Sequence, residues 1–369
     1  METSVSKFFA KVHDPRIERK KLYPLEEILL VALCCIISGG EGFEDMKLYG
    51  EEKLDFLRKF YPFENGIASE DTFSRVFQLI CPKTFSNCFT EWIKDFQSRS
   101  EQGIAIDGKL ARRSSSDKQK ALHMVSAWAH EEGLVLAQQP VGDKSNEITA
   151  IPHLLEVLDI KGSVITIDAM GCQKEIAQQV IEKKGHYILS FKGNQGSLEK
   201  NVKDVFSGKK KARFIEIVCT DYQTVEKAHG RIESRHVKAI GIENLPIDVA
   251  EWKGIKSIVE VHATREIKEK KSEETRYYIS SLEADAEKLG RYIRGHWGIE
   301  NSLHWVLDVT FNEDQSRIRA GHSSKNLAIV RHTGINLIKL DSSKGSIRGK
   351  RKRAGWNNDY TERLLNLKF

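Results

Sequence analysis

Hydrophobic and polar positions divide the chain into three regimes. Residues 25 to 98 carry helical periodicity. "LEEILLVALCCIIS" is a helical apolar run, and "MKLYGEEKLDFLRKFY" places Leu54, Leu57 and Phe60 at i, i+3 and i+6. "GIASEDTFSRVFQLI" offers Ser69 as an N-cap, with Glu70 and Asp71 suited to the first turn. From residue 103 the texture becomes that of strands. "GIAIDGK" is one, and "LHMVSAWAH" and "GLVLAQQPV" form a hairpin across Glu131 to Gly133. "ITAIPHLLEVLDI" reads as a helix with Pro152 near its first turn, "GSVITIDAM" as a buried strand, and "CQKEIAQQVIEKKG" as a helix ending at Gly185. "HYILSFKGNQG" is a strand that runs into a polar loop. Residues 213 to 281 alternate strand-like runs: "ARFIEIVCT", "RIESRHVKAI", "IKSIVEVHATR" and "RYYISSL". A long helix follows at about 285 to 309. Gly290, Gly295 and Gly298 each weaken it by roughly 1 kcal/mol relative to Ala, which allows a kink or two shorter helices.

The order strand, strand, strand, helix, strand, helix, strand makes the first three strands antiparallel and the later ones parallel through helical crossovers. That is the order of a ribonuclease-H-like sheet. The expected class is therefore α/β: a ribonuclease-H-like mixed sheet with a β-rich insertion, preceded by an all-α N-terminal domain. The boundaries read from the pattern are 1–98 for a helical accessory or DNA-binding domain and 99–340 for the α/β domain, with the insertion at about 196–283. Residues 341–369 read as a basic C-terminal tail.

Composition narrows the class. The chain has 369 residues, 40% hydrophobic and 30% charged, as a soluble globular protein would. Its apolar run Ile28 to Ile37 is too short to span a bilayer, and the start lacks a signal-peptide pattern. The six cysteines form no CxxC pair and no zinc-type spacing, so reduced thiols and a cytoplasmic location are expected. Net charge is +6, unevenly spread. Residues 183 to 213 hold nine basic against two acidic side chains, and "KGSIRGKRKR" at 344 to 353 holds six basic and none acidic. The first hundred residues, with 14 basic and 16 acidic, are not basic. Two local basic zones suggest a polyanion, nucleic acid foremost, although a solvated lysine face and a loose tail would give the same counts.

The candidate chemistry lies in carboxylates. Asp107 in "AIDGK" and Asp168 in "TIDAM" each follow a short apolar strand and precede a small residue. In this topology the two strands are neighbours, so the two Asp face each other. Such a pair is costly unless a cation sits between them, and hard oxygen ligands select Mg²⁺ or Mn²⁺. In "HWGIENSLHWVLD", Ile299, Leu303, Val306 and Leu307 form an apolar arc with Glu300 at its edge and Trp297, His304 and Asp308 on its flank. Glu300 is a third carboxylate of the kind a two-metal phosphodiester site uses. An Asp at a strand end also caps and turns, so a structural reading stays open. Asp308 is expected to anchor the helix end or meet a basic partner.

The chain resembles bacterial insertion-sequence DDE transposases, in the branch that includes the H-repeat-associated proteins linked to Rhs elements. "AIDGK", "LHMVSAWA", "KSNEITAIP", "TIDAMGCQ", "KGNQG", "HGRIESR", "YYISSL", "IRGHWGIENSLHWVLDVTFNED" and "SRIR" carry the resemblance over roughly residues 100 to 340. It implies that Asp107, Asp168 and Glu300 are catalytic and hold Mg²⁺, with Mn²⁺ able to substitute. It also implies DNA partners (element ends and target), a homo-oligomer on DNA, and no membrane. Where relatives carry a Tyr, an Arg and a Lys around the catalytic Glu, this chain has Ile293, His296 and Leu307, so Arg294, His296 or His304 would have to replace those phosphate contacts. Further candidate nucleic-acid contacts are Lys192, Asn194 and Gln195 past a strand end, His229, Arg231 and Arg235 on one strand face, Arg112 and Arg113 after Asp107, and Arg351 and Arg353 in the tail. A DNA-binding protein that no longer transposes, or a structure-specific nuclease of the same fold, would use the same residues.

Overall fold

The computed structural model describes residues 3–97, 102–115, 120–142, 145–209, 219–228, 230–243, 245, 247, 249–268 and 270–367. Lys210, Lys211, Arg213, His229 and most of "ARFIEIVCT" lie outside the described residues. Helices α1 (Ser4–Phe9), α2 (Leu25–Ser38), α3 (Phe43–Glu52), α4 (Leu54–Leu57), α5 (Glu70–Leu79) and α6 (Pro82–Lys94) come first. Strands β1 (Gly103–Leu110), β2 (His123–Ala129) and β3 (Val135–Pro140) follow, then α7 (Glu147–Val157), β4 (Val164–Ile167), α8 (Lys174–Glu182), β5 (His186–Phe191) and α9 (Gly196–Phe206). Strands β6 (Cys219–Ala228), β7 (Arg231–Gly241), β8 (Ser257–Ile267) and β9 (Lys270–Ser280) lead to α10 (Ala286–His296) and α11 (Trp305–Val309). The chain closes with α12 (Ser323–Leu340), α13 (Ile347–Trp356) and α14 (Asn358–Leu365).

The result is a mixed α/β fold around one large sheet. Its order among the described strands is β3-β2-β1-β4-β5-β9-β8-β7-β6. β1 pairs antiparallel with β2 and parallel with β4, and β4 pairs parallel with β5. The later hairpins continue the same sheet, because β9 pairs antiparallel with β5 from Ile188↔Ser280 to Phe191↔Tyr277. β1, β4 and β5 are buried over their apolar stretch because α-helices cover them; they read as continuous Ile, Val and Leu runs for that reason.

In the helical part, Ser69 accepts the Thr72 N–H as the N-cap of α5, and Gly39 ends α2 at φ 115°. The expected helix through Leu54 and Phe60 is broken at Lys53, which leaves α3 and the one-turn α4. α2 buries every residue from Ile28 to Ile37 against α3, α12 and α13. Each such Leu or Ile contributes about 1.5–3 kcal/mol by leaving water. Among the described residues, no single helix is long and apolar enough to cross a membrane. α7 begins at Glu147, so Pro152 lies inside the helix and not in its first turn.

The expected basic tail is corrected. Residues 347–365 form α13 and α14, packed on α2 and α12. Lys350 and Arg351 are buried. The Lys350 ammonium donates to the Ile338 and Asp341 carbonyls, and the Arg351 guanidinium donates to the carbonyls of Ile36, Gly40 and Thr310. Arg351 thus satisfies orphan carbonyls at the end of α2 and is not free to meet nucleic acid. Arg353 is exposed and stacks on the Tyr360 ring.

Asp341 ties this end together. Burial would raise its carboxyl, but hydrogen bonds from Ser343 and Tyr360 and the Lys350 ammonium outweigh that and hold it at about 2. A carboxylate depressed from 3.8 to about 2 stabilises the fold above its unfolded pKa, and the contribution is lost as pH falls from about 4 to about 2. Asp341→Asn should cost on the order of 2 kcal/mol at pH 7. The urea midpoint of the parent should also fall more steeply than that of the variant between pH 5 and 3. Parallel midpoint curves would remove Asp341 from this role.

Candidate active site

Sheet register brings the first two carboxylates together. The β1–β4 pairing ends at Ile106↔Ile167, so Asp107 and Asp168 are the next residue on each strand. β1 does not stop there, as expected from sequence; it continues with β2 to Leu110↔His123. Asp107 is half-buried, and Asp168 turns the chain by accepting the Met170 and Gly171 N–H groups on Oδ1. Glu300, about half exposed, arrives on the turn between α10 and α11. Asp107, Asp168 and Glu300 line one cavity of about 240 Å³ together with Thr166, Lys192, Arg276, Tyr278, His296 and Trp297.

Electrostatics in this cavity are unbalanced. Burial, then Glu300, Asp168 and Glu147, push the Asp107 carboxyl up to about 8. Glu300 is held below its ordinary value, chiefly by His304. Asp107 is thus pushed towards its protonated form and Glu300 towards its ionised one. Glu147, a residue the sequence pattern missed, is a buried fourth carboxylate at the start of α7, with its Oε1 2.8 Å from His123 Nε2. Gly108 makes room for that pair, since a Cβ there would lie 2.2 Å from Glu147 Oε1. The signal for Glu147 was its place in "KSNEIT", just before the apolar run of α7.

The helix that carries Glu300 is held to β1 by a second cluster. Lys109, two residues beyond Asp107, is buried with its ammonium 2.6 Å from Asp308, 3.1 Å from Glu313 and 3.4 Å from Asp314. Burial alone would lower the Lys109 pKa, but Glu313 and Asp308 raise it above its ordinary value. Asp308 thus meets its basic partner within the chain. Leu307 is buried in the core, as the apolar arc requires.

Several expected nucleic-acid contacts have other partners. Asn194 donates to the Ala169 carbonyl at 2.7 Å and Gln195 to the Cys172 carbonyl at 3.1 Å, so both brace the turn after Asp168. Lys192 is exposed at the cavity wall. His296 lines the floor; its Nδ1 lies 3.0 Å from the Thr166 hydroxyl, and burial lowers its pKa to about 4. It is neutral at pH 7 and offers a hydrogen bond, not a positive charge. His304 is buried and faces Asp107 and Glu300, not the open cavity.

Arg231, Arg235 and Arg294 line an adjoining cavity of about 690 Å³ between β7–β9 and α10. They pair with Glu233 (Arg231, 2.8 Å; Arg235, 2.6 Å) and Glu226 (Arg294, 3.3 Å). Arg112 pairs with Asp314 at 3.4 Å, and the Arg113 carbonyl accepts from Arg319. Sequence reading missed Arg276, whose guanidinium lies 4.5 Å from the centre of the Trp297 ring at the junction of the two cavities.

Known proteins resemble this chain over most of its length. Residues 98–337 match the family described as "Transposase DDE domain", and residues 6–93 match "DDE_Tnp_1-associated". The chain is 41% identical over 363 residues to the "H repeat-associated putative transposase YhhI" of Escherichia coli (strain K12), covering 96% of this chain and 95% of that protein. It is also 41% identical over 376 residues to the "Putative transposase YncI" of Escherichia coli O157:H7, covering 98% and 94%. Among solved structures, the piggyBac transposase synaptic complex with hairpin DNA aligns over 99% of this chain and 78% of that one, with a TM-score of 0.44 and 10% identity.

The Lys109 cluster makes a prediction. Lys109→Met leaves Asp308 unmatched and removes one of the two cations beside buried Glu313, and should cost about 3 kcal/mol. Asp308→Asn should cost less, because Glu313 and Asp314 still hold the ammonium. Urea denaturation followed by tryptophan fluorescence measures both, and equal midpoints for parent and Lys109→Met would show that the cluster does not bind α11 to β1.

Proposed function

Because this chain belongs to the DDE transposase family, we propose that it cuts the DNA ends of an insertion-sequence-type element and joins them to target DNA. The observation that carries this reading is the register that sets Asp107 and Asp168 side by side, with Glu300 in the same cavity. The ribonuclease-H-like reading of the sheet is supported by the order β3-β2-β1-β4-β5, with three antiparallel strands followed by parallel crossovers. In this reading residues 99–340 are the catalytic domain, residues 1–98 an accessory domain, and β6–β9 an insertion.

The donor set fits a divalent cation. Three carboxylates line one cavity and repel one another, and oxygen ligands of this kind suit a hard divalent ion. Divalent ions held by Asp107, Asp168 and Glu300 would supply an activated water and shield the charge of the reacting phosphate, which is two-metal phosphodiester chemistry. The chain's own side chains do the rest. Lys192 and Arg276 offer positive charge to phosphates at the cavity wall. Neutral His296 donates or accepts a hydrogen bond without adding charge. Trp297, 37% exposed and stacked on Arg276, presents a flat apolar face to a base.

The test is incubation of the full chain with DNA flanking its own gene, in Mg²⁺ or Mn²⁺. Cleavage at defined ends followed by strand transfer from a 3′-hydroxyl is expected. Asp107→Asn, Asp168→Asn and Glu300→Gln should each abolish cutting and retain DNA binding. That binding should weaken with salt, log K falling by roughly 0.9 per log unit of salt for each phosphate neutralised. Cutting without transfer would make the protein a nuclease, and binding without cutting would make it a DNA-binding protein alone.

A further inference from the structure

The turn that carries Glu300 is a π-helix, Glu300–His304, closed by the Trp305 N–H on the Glu300 carbonyl. Such turns are rare and gather at functional positions. Here the widened turn sets His304 behind Glu300 and against β1. The His304 side chain is 6% exposed. Its Nδ1 lies 3.6 Å from Asp107 Oδ2 and 3.5 Å from Glu300 Oε2, both long for a hydrogen bond, and its Nε2 has no hydrogen-bond partner. A buried imidazole aimed at two carboxylates with no close bond to either is costly unless something sits between them. One donor atom from each of Asp107, Glu300 and His304 lies within 4.8 Å of the others, a spacing one ion can bridge.

We propose that His304 is a metal ligand through Nδ1, beside Asp107 and Glu300, and that it biases the site towards Mn²⁺ over Mg²⁺. The physical reason is ligand character. Mg²⁺ takes oxygen and keeps its waters, whereas first-row transition ions accept imidazole readily. The proposal rests on the metal-dependent reading above, and it adds a nitrogen ligand to a set of oxygens.

Binding of Mn²⁺ and of Mg²⁺ to the full chain, measured by titration calorimetry without DNA, tests it. The parent should bind Mn²⁺ more tightly. His304→Ala should lose at least about tenfold in Mn²⁺ affinity, the low end seen even for groups that only support a ligand, and much less in Mg²⁺ affinity. His304→Gln, which keeps a polar side chain and offers an oxygen, should shift the preference towards Mg²⁺; it is the variant to read if His304→Ala fails to melt cooperatively. Electron spin echo spectra of the Mn²⁺-loaded parent should show imidazole nitrogen coupling that His304→Gln abolishes. An unchanged Mn²⁺-to-Mg²⁺ ratio in both variants would overturn the ligand assignment and leave the transposase reading standing. Failure of the parent to bind either ion would overturn both.

Discussion

The buried ammonium of Lys109 is held by Asp308, Glu313 and Asp314, and the relative position of strand β1 and the helix after Glu300 depends on it. Lys109 is two residues from Asp107 and therefore on the same face of β1, while Asp308 lies two turns beyond Glu300. Closing this pair sets how far Glu300 can stand from Asp107. The constraint extends further. Glu313 also meets the buried Arg331 on α12 at 3.4 Å, and α12 packs on α2, α5 and α6. The helical part of the chain is thus coupled to the carboxylate cavity through two buried cations. A buried ion pair adds little net stability over a well-packed apolar pair, but it penalises every arrangement that leaves a charge unmatched. That is a suitable device where a carboxylate must be placed and not merely buried.

Two neighbouring positions on one face of β1, Asp107 and Lys109, therefore work in opposite senses. Around Lys109, charges are matched and the structure is pinned. Around Asp107, the carboxylates of Glu300, Asp168 and Glu147 crowd its own, and burial together with their charge pushes its pKa up. A fold that stabilises the first cluster can sustain the second. The strain is local, it sits beyond the last rung between β1 and β4, and it is of the kind a divalent cation relieves.

How much of this was legible in the sequence follows from what periodicity records. Asp107 and Asp168 could be set near one another because a buried strand is a run of apolar residues and each Asp interrupts that run; that β1 continues past Asp107 to Leu110 leaves no such mark. Glu300 could be placed because an apolar arc at 100° per residue has an edge. The same assumption hid the contact of His304 with Asp107, since a π turn departs from that angle and no residue type announces it. Glu147 was hidden because helix α7 starts before its apolar pattern does. The basic run at 344 to 353 misled for a different reason. Charge counts do not show where a helix end leaves carbonyls open, and Arg351 is buried on those of α2 and Thr310.

The same distinction governs the arginines between β7–β9 and α10. Counted along the chain, Arg231, Arg235, Arg265, Arg276 and Arg294 look like a strong phosphate surface. In the fold, Glu226, Glu233 and Glu274 occupy their guanidinium groups. The free protein therefore presents a weaker positive field there than the arginine count suggests. These pairs are partly exposed, and such pairs are worth about 0–1 kcal/mol each. A nucleic-acid phosphate that displaces a glutamate gives up little and gains a charge-assisted, bidentate partner. Each of these guanidinium groups is thus already paired within the chain beside the cavity. In the proposed reading, a strand that met several of these arginines would gain from each exchange, whereas an isolated anion would gain from one.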